Sequence, residues 1–329
     1  MKPKPQVFAR VIALTLVLTA LNSVRAEVED VINHSFPVEP GGQLTLDVDR
    51  GSLDVKTSTS GGCEIQVTRK AKDQKTLDNH DITFAKDGNK LSVKAENKVK
   101  SSAWWGESLQ VAYHITVPEK FNVDLRTAGG SVKVAGLNGT VKTHTSGGSM
   151  KFEKIEGPLN ASTSGGSVSV AGCNGAVDVK TSGGSLKLAD IVGDVAAQTS
   201  GGSISCTQLD GKSVVSTSGG SVNVSGIKGQ ISAKTSGGSI QASLVGQPSG
   251  DCSFKTSGGS VSVELVEDIT AEIDAETSAG RVTTDFAVNP PQDPKHKSEL
   301  RGKINGGGPL ITLRTSAGSV RLKQKPGAR

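Results

Sequence analysis

Apolar and polar residues alternate along most of this chain, and glycines interrupt the alternation at regular intervals. Apolar pairs such as Val168/Val170 and Leu186/Leu188 flank one polar residue, and a second alternating stretch, such as 177–181, follows a further glycine. Alternation with a period of two residues, bounded by glycine turns, predicts β-strands. Each unit is therefore predicted to be a strand, a turn, a second strand and a second turn.

The unit recurs every 18 residues from Thr127 to Thr235 and then at intervals of 21, 21 and 38 residues, and its signature is the phrase Thr-Ser-Gly-Gly-Ser or a close variant. The threonines that open the phrase are Thr127, Thr145, Thr163, Thr181, Thr199, Thr217, Thr235, Thr256, Thr277 and Thr315. Identical units can bury their apolar columns only by stacking on one another. The pattern predicts an all-β fold: a parallel β-solenoid with 18 residues per coil. The usual hand of parallel crossovers favours a right-handed β-helix or β-roll.

The rhythm changes before and after the regular repeat. Residues 27–126 alternate without a fixed period, and Asp87-Gly88-Asn89 between two alternating runs predicts a hairpin. This region is predicted to be an irregular β N-terminal cap, with a separate small β-domain as the alternative. The regular solenoid is predicted over 127–329, with a loop insertion near 289–298. Three prolines in that insertion predict a loop thrown out from the stack, because proline lacks a backbone donor.

The chain is predicted to finish at an exposed sheet edge. Lys323, Lys325 and Pro326 follow the last alternating residues. Lysine and proline are typical of edges that are protected against pairing with other strands.

Residues 1–26 are predicted to be a signal peptide. A basic start leads into an apolar run from Val11 to Leu21, and Val24 and Ala26 are small residues of the kind that precede a cleavage site. The run is short for a membrane span, which needs about 20 residues. We therefore expect an exported protein with no stable membrane span after cleavage, in the periplasm or at the cell surface.

The charge of the chain argues against nucleic acid as a partner. The formal net charge is +5, and removal of residues 1–26 takes away four basic residues and no acidic ones, which leaves +1. Nucleic-acid binding requires a clustered basic face. Glycine is abundant at 41 residues and aromatic residues make up only 3%, but the glycines recur in register and so indicate turns and not disorder.

The threonines and glycines of the repeat are predicted to be structural. Alternation places Val177, Val179 and Thr181 on the same, inward side of a strand, which argues against an outward ice-binding threonine ladder. The hydroxyl is expected to bond backbone at the corner, and the glycines to supply positive φ. The predicted turn and ladder residues are Thr145, Gly147, Gly148, Thr163, Gly165, Gly166, Thr181, Gly183, Gly184, Thr199, Gly201 and Gly202.

Several phrases resemble a known group, the bacterial putative-adhesin β-strand-repeat family. They are Phe36–Leu44 (FPVEPGGQL), Arg50–Val55 (RGSLDV), Tyr113–Pro118 (YHITVP), the repeats themselves and the ending Ile304–Val320. The resemblance covers almost the whole chain after residue 26. It implies an envelope or surface location and a solenoid fold, and it carries no catalytic residues.

The outward positions of the predicted strands hold no pair of stacked carboxylates. A glycosidase needs two carboxylates about 5–9 Å apart, whereas Asp178 stands alone on its strand and is interpreted as solvated surface. The threonine turn lacks the aspartates of a calcium-binding roll, and the five histidines have no ligand-like spacing. We expect no enzyme activity, no metal and no cofactor.

Four cysteines in an exported protein invite a disulfide interpretation, but their positions argue against it. Cys173, Cys206 and Cys252 occupy different columns, and consecutive ones lie two coils apart, about 9.6 Å at 4.8 Å per coil. A disulfide needs Cα atoms within about 7 Å, so free thiols are predicted. Cys63 lies outside the regular repeat and is not placed.

Trp104 and Trp105 form the one aromatic concentration. They are predicted either to plug the open end of the core or to form an exposed interaction surface, since tryptophan is enriched at binding hot spots. The function expected from the sequence is a scaffold or adhesin-like interaction module of the cell envelope, whose partner is an unidentified protein or polysaccharide. The alternative is a protein that binds or degrades polysaccharide through the Trp104 loop and the insertion.

Overall fold

The computed structural model describes residues 27–59, 61–98 and 109–325, and in these ranges nearly every element is a β-strand. The strands before the regular repeat are β1 (Val28–Phe36), β2 (Gly42–Val48), β3 (Ser52–Ser58), β4 (Cys63–Ala71), β5 (His80–Asp87), β6 (Lys90–Asn97), β7 (Leu109–Pro118) and β8 (Phe121–Thr127). One short helix, α1 (Gln74–Asp78), is capped at its N-terminus by the Asp73 side chain. None of the helices in the described ranges has the length and apolar character of a membrane span.

The regular repeat contributes two short strands per coil. These are β9 (Val132–Ala135), β10 (Val141–Thr145), β11 (Met150–Glu156), β12 (Leu159–Thr163), β13 (Val168–Asn174), β14 (Val177–Thr181), β15 (Leu186–Val192), β16 (Val195–Gln198), β17 (Ile204–Asp210), β18 (Ser213–Ser216), β19 (Val222–Lys228), β20 (Ile231–Lys234), β21 (Ile240–Leu244), β22 (Cys252–Lys255) and β23 (Val261–Leu265). The last strands are β24 (Ala271–Thr277), β25 (Val282–Thr284), β26 (Glu299–Ile304), β27 (Leu310–Thr315) and β28 (Val320–Gln324).

These strands form two long sheets. Sheet A has the order β1-β4-β7-β3-β9-β11-β13-β15-β17-β19-β21-β23-β28-β25, and sheet B has the order β26-β24-β27-β22-β20-β18-β16-β14-β12-β10-β8-β2-β6-β5. Within the regular repeat the pairing is parallel and offset by one unit, as in Val177 opposite Val195 and Val168 opposite Leu186. The predicted parallel β-solenoid is confirmed.

The core lies between the two sheets. Along β14 the inward residues Val177, Val179 and Thr181 are buried, whereas Asp178 and Lys180 between them point outward. The same alternation holds on the neighbouring strands, so that one continuous apolar cluster runs from Val38 to Leu322. The stack is stable because neighbouring coils share both this core and their hydrogen-bond ladders.

The first coil of the chain does not lie at the end of the stack. On sheet B, β2 lies between β6 and β8, and on sheet A, β3 lies between β7 and β9. After β3 the chain passes outward through β4 to β7, where β5 and β6 form the predicted antiparallel hairpin, and then returns so that β8 pairs with the other side of β2. The N-terminal coil is therefore held inside the stack by later strands.

The last coil is also inserted. β27 lies between β22 and β24, and β28 lies between β23 and β25, so that Thr315 is the direct neighbour of Thr277. The prediction that the chain finishes at an exposed edge was therefore wrong for β28, because β25 pairs with its outer side. The irregular interval of the threonines between Thr277 and Thr315 reflects this insertion.

The proline-rich insertion lies along the C-terminal end and is not thrown out from the stack. Val282 N donates to Lys297 O at 2.8 Å, and Thr277 N donates to Ser298 O at 2.9 Å. Asn289 of the insertion bonds both backbone groups of Lys303 on the edge strand β26. Asn289 N donates to Lys303 O at 3.0 Å, and Lys303 N donates to Asn289 O at 2.8 Å. The insertion supplies partners to backbone groups that a sheet edge would leave free.

Candidate functional site

The turn that opens with threonine, which we name the TSGG corner, connects each sheet B strand to the following sheet A strand. In the coil of Thr181 the hydroxyl Oγ1 donates to Gly166 O of the previous coil at 2.8 Å and accepts from Gly184 N of its own coil at 3.3 Å. Ser185 N donates to Ser167 Oγ of the previous coil at 3.1 Å. The corner side chains therefore satisfy backbone groups that the ladders leave free.

All ten threonines make the same bond to a glycine carbonyl of the adjacent coil. The Oγ1–O distances fall between 2.6 and 3.1 Å for Thr127, Thr145, Thr163, Thr181, Thr199, Thr217, Thr235, Thr256, Thr277 and Thr315. Each of these threonines is buried. Their hydroxyls are used inside the fold and are not offered to a ligand.

The two glycines of the TSGG corner have different roles. A Cβ on Gly166 would lie 1.9 Å from Gly148 O of the previous coil, whereas a Cβ on Gly165 would meet its nearest atom only at 3.8 Å. The sequence itself follows this difference, because Ala279 and Ala317 occupy the first position while the second stays glycine. The second glycine is therefore required by close approach between coils.

Positive φ, which we expected at both corners, occurs only at the other one. Gly157 and Gly193 at that corner have φ of +139° and +136°, while Gly147 and Gly148 of the TSGG corner are not in the positive-φ region. The expectation for the TSGG glycines was wrong, because stacking distance and not backbone conformation selects glycine there.

The four cysteines are free and buried. Burial raises the pKa of the Cys63 thiol to about 12, with a smaller contribution from the nearby Glu64 carboxylate. Burial raises the pKa of Cys206 to about 12 and that of Cys173 to about 11. These thiols stay protonated at neutral pH and are therefore poor nucleophiles and poor metal ligands.

Trp104 and Trp105, the predicted interaction surface, lie outside the described residues. Among the residues that are described, no group of three or more His, Cys, Asp or Glu side chains has the geometry of a metal site.

A polar cluster that was not predicted from the sequence lies at the N-terminal end of the stack. Arg69, whose side chain is 13% exposed, pairs with the Asp30 carboxylate and donates from Nη1 to Leu77 O at 3.1 Å and to His80 O at 2.8 Å. It thereby ties the edge strand β1 to helix α1 and strand β5. Because its members come from four separate segments, no local pattern in the sequence signals it.

His80 and Asp49 form the second part of this cluster. His80 Nε2 lies 3.1 Å from Asp49 Oδ1, and the His80 side chain is fully buried. Burial alone would raise the pKa of Asp49, but the hydrogen bond and charge of His80, together with Arg50, outweigh it and hold that pKa below its ordinary value. Burial also raises the pKa of Tyr113, whose hydroxyl is enclosed nearby. With no exposed atom on His80, the cluster is built to hold strands together and not to reach a substrate.

The outer face of sheet B carries a groove of about 560 Å³, which we name the sheet B groove. Its outward side chains come from five neighbouring strands, which at about 4.8 Å per strand gives a length of about 19 Å along the stack. The residues on its floor and walls include Lys142, Pro158, Asn160, Ala176, Asp178, Asp194, Ala196, Lys212 and Val214. Proline and alanine lower the surface here, and charged groups surround the depression.

Asp178 lies within the sheet B groove. Its Oδ2 accepts from Lys180 Nζ at 3.1 Å, so the residue has a charged partner on its own strand. Its Oδ1 is enclosed and has no hydrogen-bond donor among the described residues. This unused acceptor lies below the surface of the groove, whereas the rest of the Asp178 side chain, opposite Ala196 on the next strand, is 39% exposed.

The chain matches a family model over residues 43–323, the model described as Toastrack DUF4097. The chain belongs to the Toastrack family. This confirms the resemblance to a family of β-strand repeats that carries no assigned activity. No curated protein matches the chain.

Solved structures with distant similarity include two proteins described as a "putative adhesin". The one from Parabacteroides distasonis is 12% identical, covers 90% of this chain and 97% of its own, and has a TM-score of 0.35. The one from Bacteroides fragilis is 16% identical, with coverages of 90% and 97% and a TM-score of 0.32. A "putative cell adhesion protein" from Clostridium sporogenes is 15% identical, with coverages of 90% and 100% and a TM-score of 0.23. At these TM-scores the likenesses add nothing to the Toastrack assignment.

Proposed function

We propose that this chain is a non-catalytic, exported module of the cell envelope, which acts as a rigid scaffold and binds an envelope partner through its outer surfaces. The observation that carries the proposal is the use of side chains within each coil. Inward residues such as Val179 fill the core, and corner residues such as Thr181 and Ser185 bond neighbouring coils. What remains for function is the outward face of each sheet.

Incubation of the purified protein with envelope glycans, followed by measurement of new reducing or unsaturated ends, tests the absence of catalysis. The proposal expects no new ends above a buffer control at any protein concentration. New ends that rise in proportion to the protein would overturn the non-catalytic assignment.

Export is tested separately by protease treatment of intact cells, together with N-terminal sequencing of the native protein. We expect a mature chain that begins at Glu27, in agreement with the signal peptide predicted over 1–26. A protein that retains residues 1–26 and stays with the cytoplasmic fraction would contradict export.

A second candidate function, binding of an extended polysaccharide, is favoured by the sheet B groove. Sugar hydroxyls donate and accept hydrogen bonds, and the groove presents the half-exposed Asp178 side chain together with the ammonium groups of Lys142 and Lys212. The length of the groove also suits a chain-like ligand that crosses several coils.

Two arginine substitutions test this candidate in a glycan-binding measurement. Ala196→Arg fills the floor of the sheet B groove, whereas Ala171→Arg places the same side chain on the exposed outer face of sheet A. Binding of soluble envelope polysaccharide should be lost in Ala196→Arg and retained in Ala171→Arg. Equal loss in both variants, or loss in neither, would contradict the groove as the site.

A further inference from the structure

Strand β1 is a long sheet edge with an unused side. All nine of its residues, Val28–Phe36, pair with β4, and no strand of the described residues pairs with the opposite side of β1. Val31, in the middle of the strand, is 46% exposed. A flat edge of this length presents unpaired backbone groups that can template a further strand.

The side chains of β1 that face the end of the core are partly buried except for His34, which is exposed. Ile32 and Phe36 pack against the core cluster, and the ring centroids of His34 and Phe84 are 4.2 Å apart. Asp30 belongs to the same row and accepts from Arg69 through Oδ2 alone. Its Oδ1 therefore lies open to a donor from a neighbouring strand.

The sequence of β1 is complementary to itself when it is read in the opposite direction. Antiparallel pairing centred on Ile32 places Val28 opposite Phe36, Asp30 opposite His34 and Ile32 opposite its own copy. On the face turned toward the core, apolar side chains then meet apolar ones, and the His34 ring can donate to the Asp30 carboxylate, whereas Val31 on the other face lies opposite Asn33. Cross-strand pairs of these kinds contribute about 0.2–1 kcal/mol each.

Two neighbouring registers of the β1–β1 pair also place core-facing residues opposite core-facing residues, and both are unfavourable. A register centred on Val31 places Asp30 opposite Ile32, and one centred on Asn33 places Asp30 opposite Phe36. Each places the Asp30 carboxylate opposite an apolar side chain, so that Asp30 keeps its bond to Arg69 but gains no donor from the second copy. A register shifted by one residue would exchange the two faces of the strand. Only the register centred on Ile32 uses all nine residues.

We propose that β1 is a self-association surface: the β1 strands of two copies pair antiparallel about Ile32 and join two stacks at their N-terminal ends. Sheet A then continues from one copy into the other across a two-fold axis. The occupant of the edge is a second copy of this chain, because the side-chain complementarity belongs to β1 itself.

Cysteine cross-linking tests the register directly. In Ile32→Cys, the two introduced residues face each other with Cα atoms about 4.5–5.5 Å apart, within the range for a disulfide. Oxidation should therefore give a covalent dimer, which reducing agent dissociates. In the matched control Val31→Cys, each introduced cysteine lies one residue from the axis and on opposite sides of it. The two cysteines are therefore offset by two residues, at about 7–8 Å between Cα atoms, beyond the range of about 7 Å for a disulfide. No covalent dimer is expected there, nor from the parent protein, whose four cysteines are buried.

Size-exclusion chromatography with light scattering tests the association without a cross-link. The parent should be a dimer, and Ile32→Asp should raise its dissociation constant at least about tenfold, because two carboxylates then face each other. Ile82→Asp is the matched control: Ile82 is partly buried at the same end, on β5. The Ile82→Asp variant should dimerise as the parent does. Circular dichroism and the melting temperature verify that both variants fold.

Three results would overturn the proposal. One is a monomeric parent at about 100 μM, a concentration at which even a weak specific dimer forms. Another is a dimer that Ile32→Asp and Ile82→Asp weaken equally. The third is cross-linking in Val31→Cys and not in Ile32→Cys, which would place a different register or a different strand at the interface.

Discussion

The two ends of the stack differ in whether the backbone groups on the outer sides of their edge strands are hydrogen-bonded. At the C-terminal end the insertion after β25 bonds the edges, with Lys297 O on Val282 N and Asn289 on both backbone groups of Lys303. At the N-terminal end, β1 and β5 have no strand on their outer sides within the described residues. On the face of β1 that is turned toward the core, the rings of Phe36 and Phe84 stack on each other and cover the end of the core. One end has satisfied edges, and the other has an edge that can accept a strand.

Both ends nevertheless share one topological device. Each terminal coil is inserted inside the stack and is covered by a longer excursion of the chain. Three strands lie outside β3 and two outside β2 at the N-terminal end, and one lies outside β28 and two outside β27 at the C-terminal end. This device protects the first and last repeats from fraying, because their ladders are complete on both sides. The difference between the ends therefore concerns only the outermost strands, which is where interaction with partners is most easily gained or prevented.

The largest predicted effect comes from the glycines where an inserted coil meets the regular stack. A Cβ on Gly130 would lie 1.6 Å from Gly51 O, and a Cβ on Gly318 would lie 2.2 Å from Gly259 O. Because backbone must move in both cases, Gly130→Ala and Gly318→Ala should each lower the free energy of unfolding by at least about 3 kcal/mol. Urea denaturation followed by circular dichroism measures this.

Gly129→Ala and Ala317→Gly are the matched controls, since no atom lies within 4 Å of a Cβ on Gly129 and Ala317 already accommodates one. Both should stay within about 1 kcal/mol of the parent. A loss in Gly129→Ala equal to that in Gly130→Ala would contradict the role assigned to close approach.

A smaller effect is expected at the N-terminal polar cluster. Arg69→Met removes the partner of Asp30 and of two backbone carbonyls, and should cost about 3 kcal/mol. In the control Arg126→Met, the side chain is 60% exposed and pairs only with Asp124, so the cost should stay below about 1 kcal/mol. Thermal denaturation of both variants gives the comparison, and equal costs would show that the cluster does not stabilise this end.

The charged network at the C-terminal end should contribute less to the free energy of unfolding than the cluster around Arg69. Asp274 on β24 accepts from Arg301 on β26 and pairs with Arg314 on β27, and it is 27% exposed. Asp274→Asn should therefore lower stability by about 1–2 kcal/mol, and high salt should reduce the difference. An unchanged midpoint of urea denaturation at low salt would count against this contribution.

The smallest predicted effect is a pH dependence of stability that is specific to the N-terminal end, where Asp49 lies. The pKa of Asp49 is lowered in the folded protein, so its contribution to stability is present above the ordinary pKa of about 4 and is lost as pH falls through the lower folded value. The protection of amides in α1 and β5, measured relative to their intrinsic exchange rates at each pH, should fall over this acidic range. His80→Gln should weaken that dependence, and an unaltered dependence in the variant would contradict the His80–Asp49 link.

The regular coils were predictable from the sequence because their specification is local and repeated. Alternation placed Val177 and Val179 inward, and the repeat placed like residues in register. The inserted coils were not predictable, because Thr277 opposite Thr315 is a choice between distant partners that a repeat makes equally good. The polar cluster around Arg69 was not predicted for a related reason, because its members are far apart in the chain.

The sheet B groove was only partly visible in the sequence. Asp178 could be recognised as a lone outward carboxylate, and it does lie on the outer face of sheet B. Its enclosed Oδ1 depends on how neighbouring strands pack, which no pattern along one strand reports. The sequence thus indicated where chemistry was absent more readily than where a ligand could bind.

The most direct test of the contrast between the ends is amide hydrogen exchange measured as a function of protein concentration. Val282 and Lys303 at the C-terminal end should be protected equally at all concentrations, because the insertion bonds them within one chain. The amides of β1 that do not bond β4 should exchange fast in dilute solution and become protected as the concentration rises. Protection of β1 that does not change with concentration, or loss of protection at Val282 and Lys303, would contradict the account of one open and one closed end.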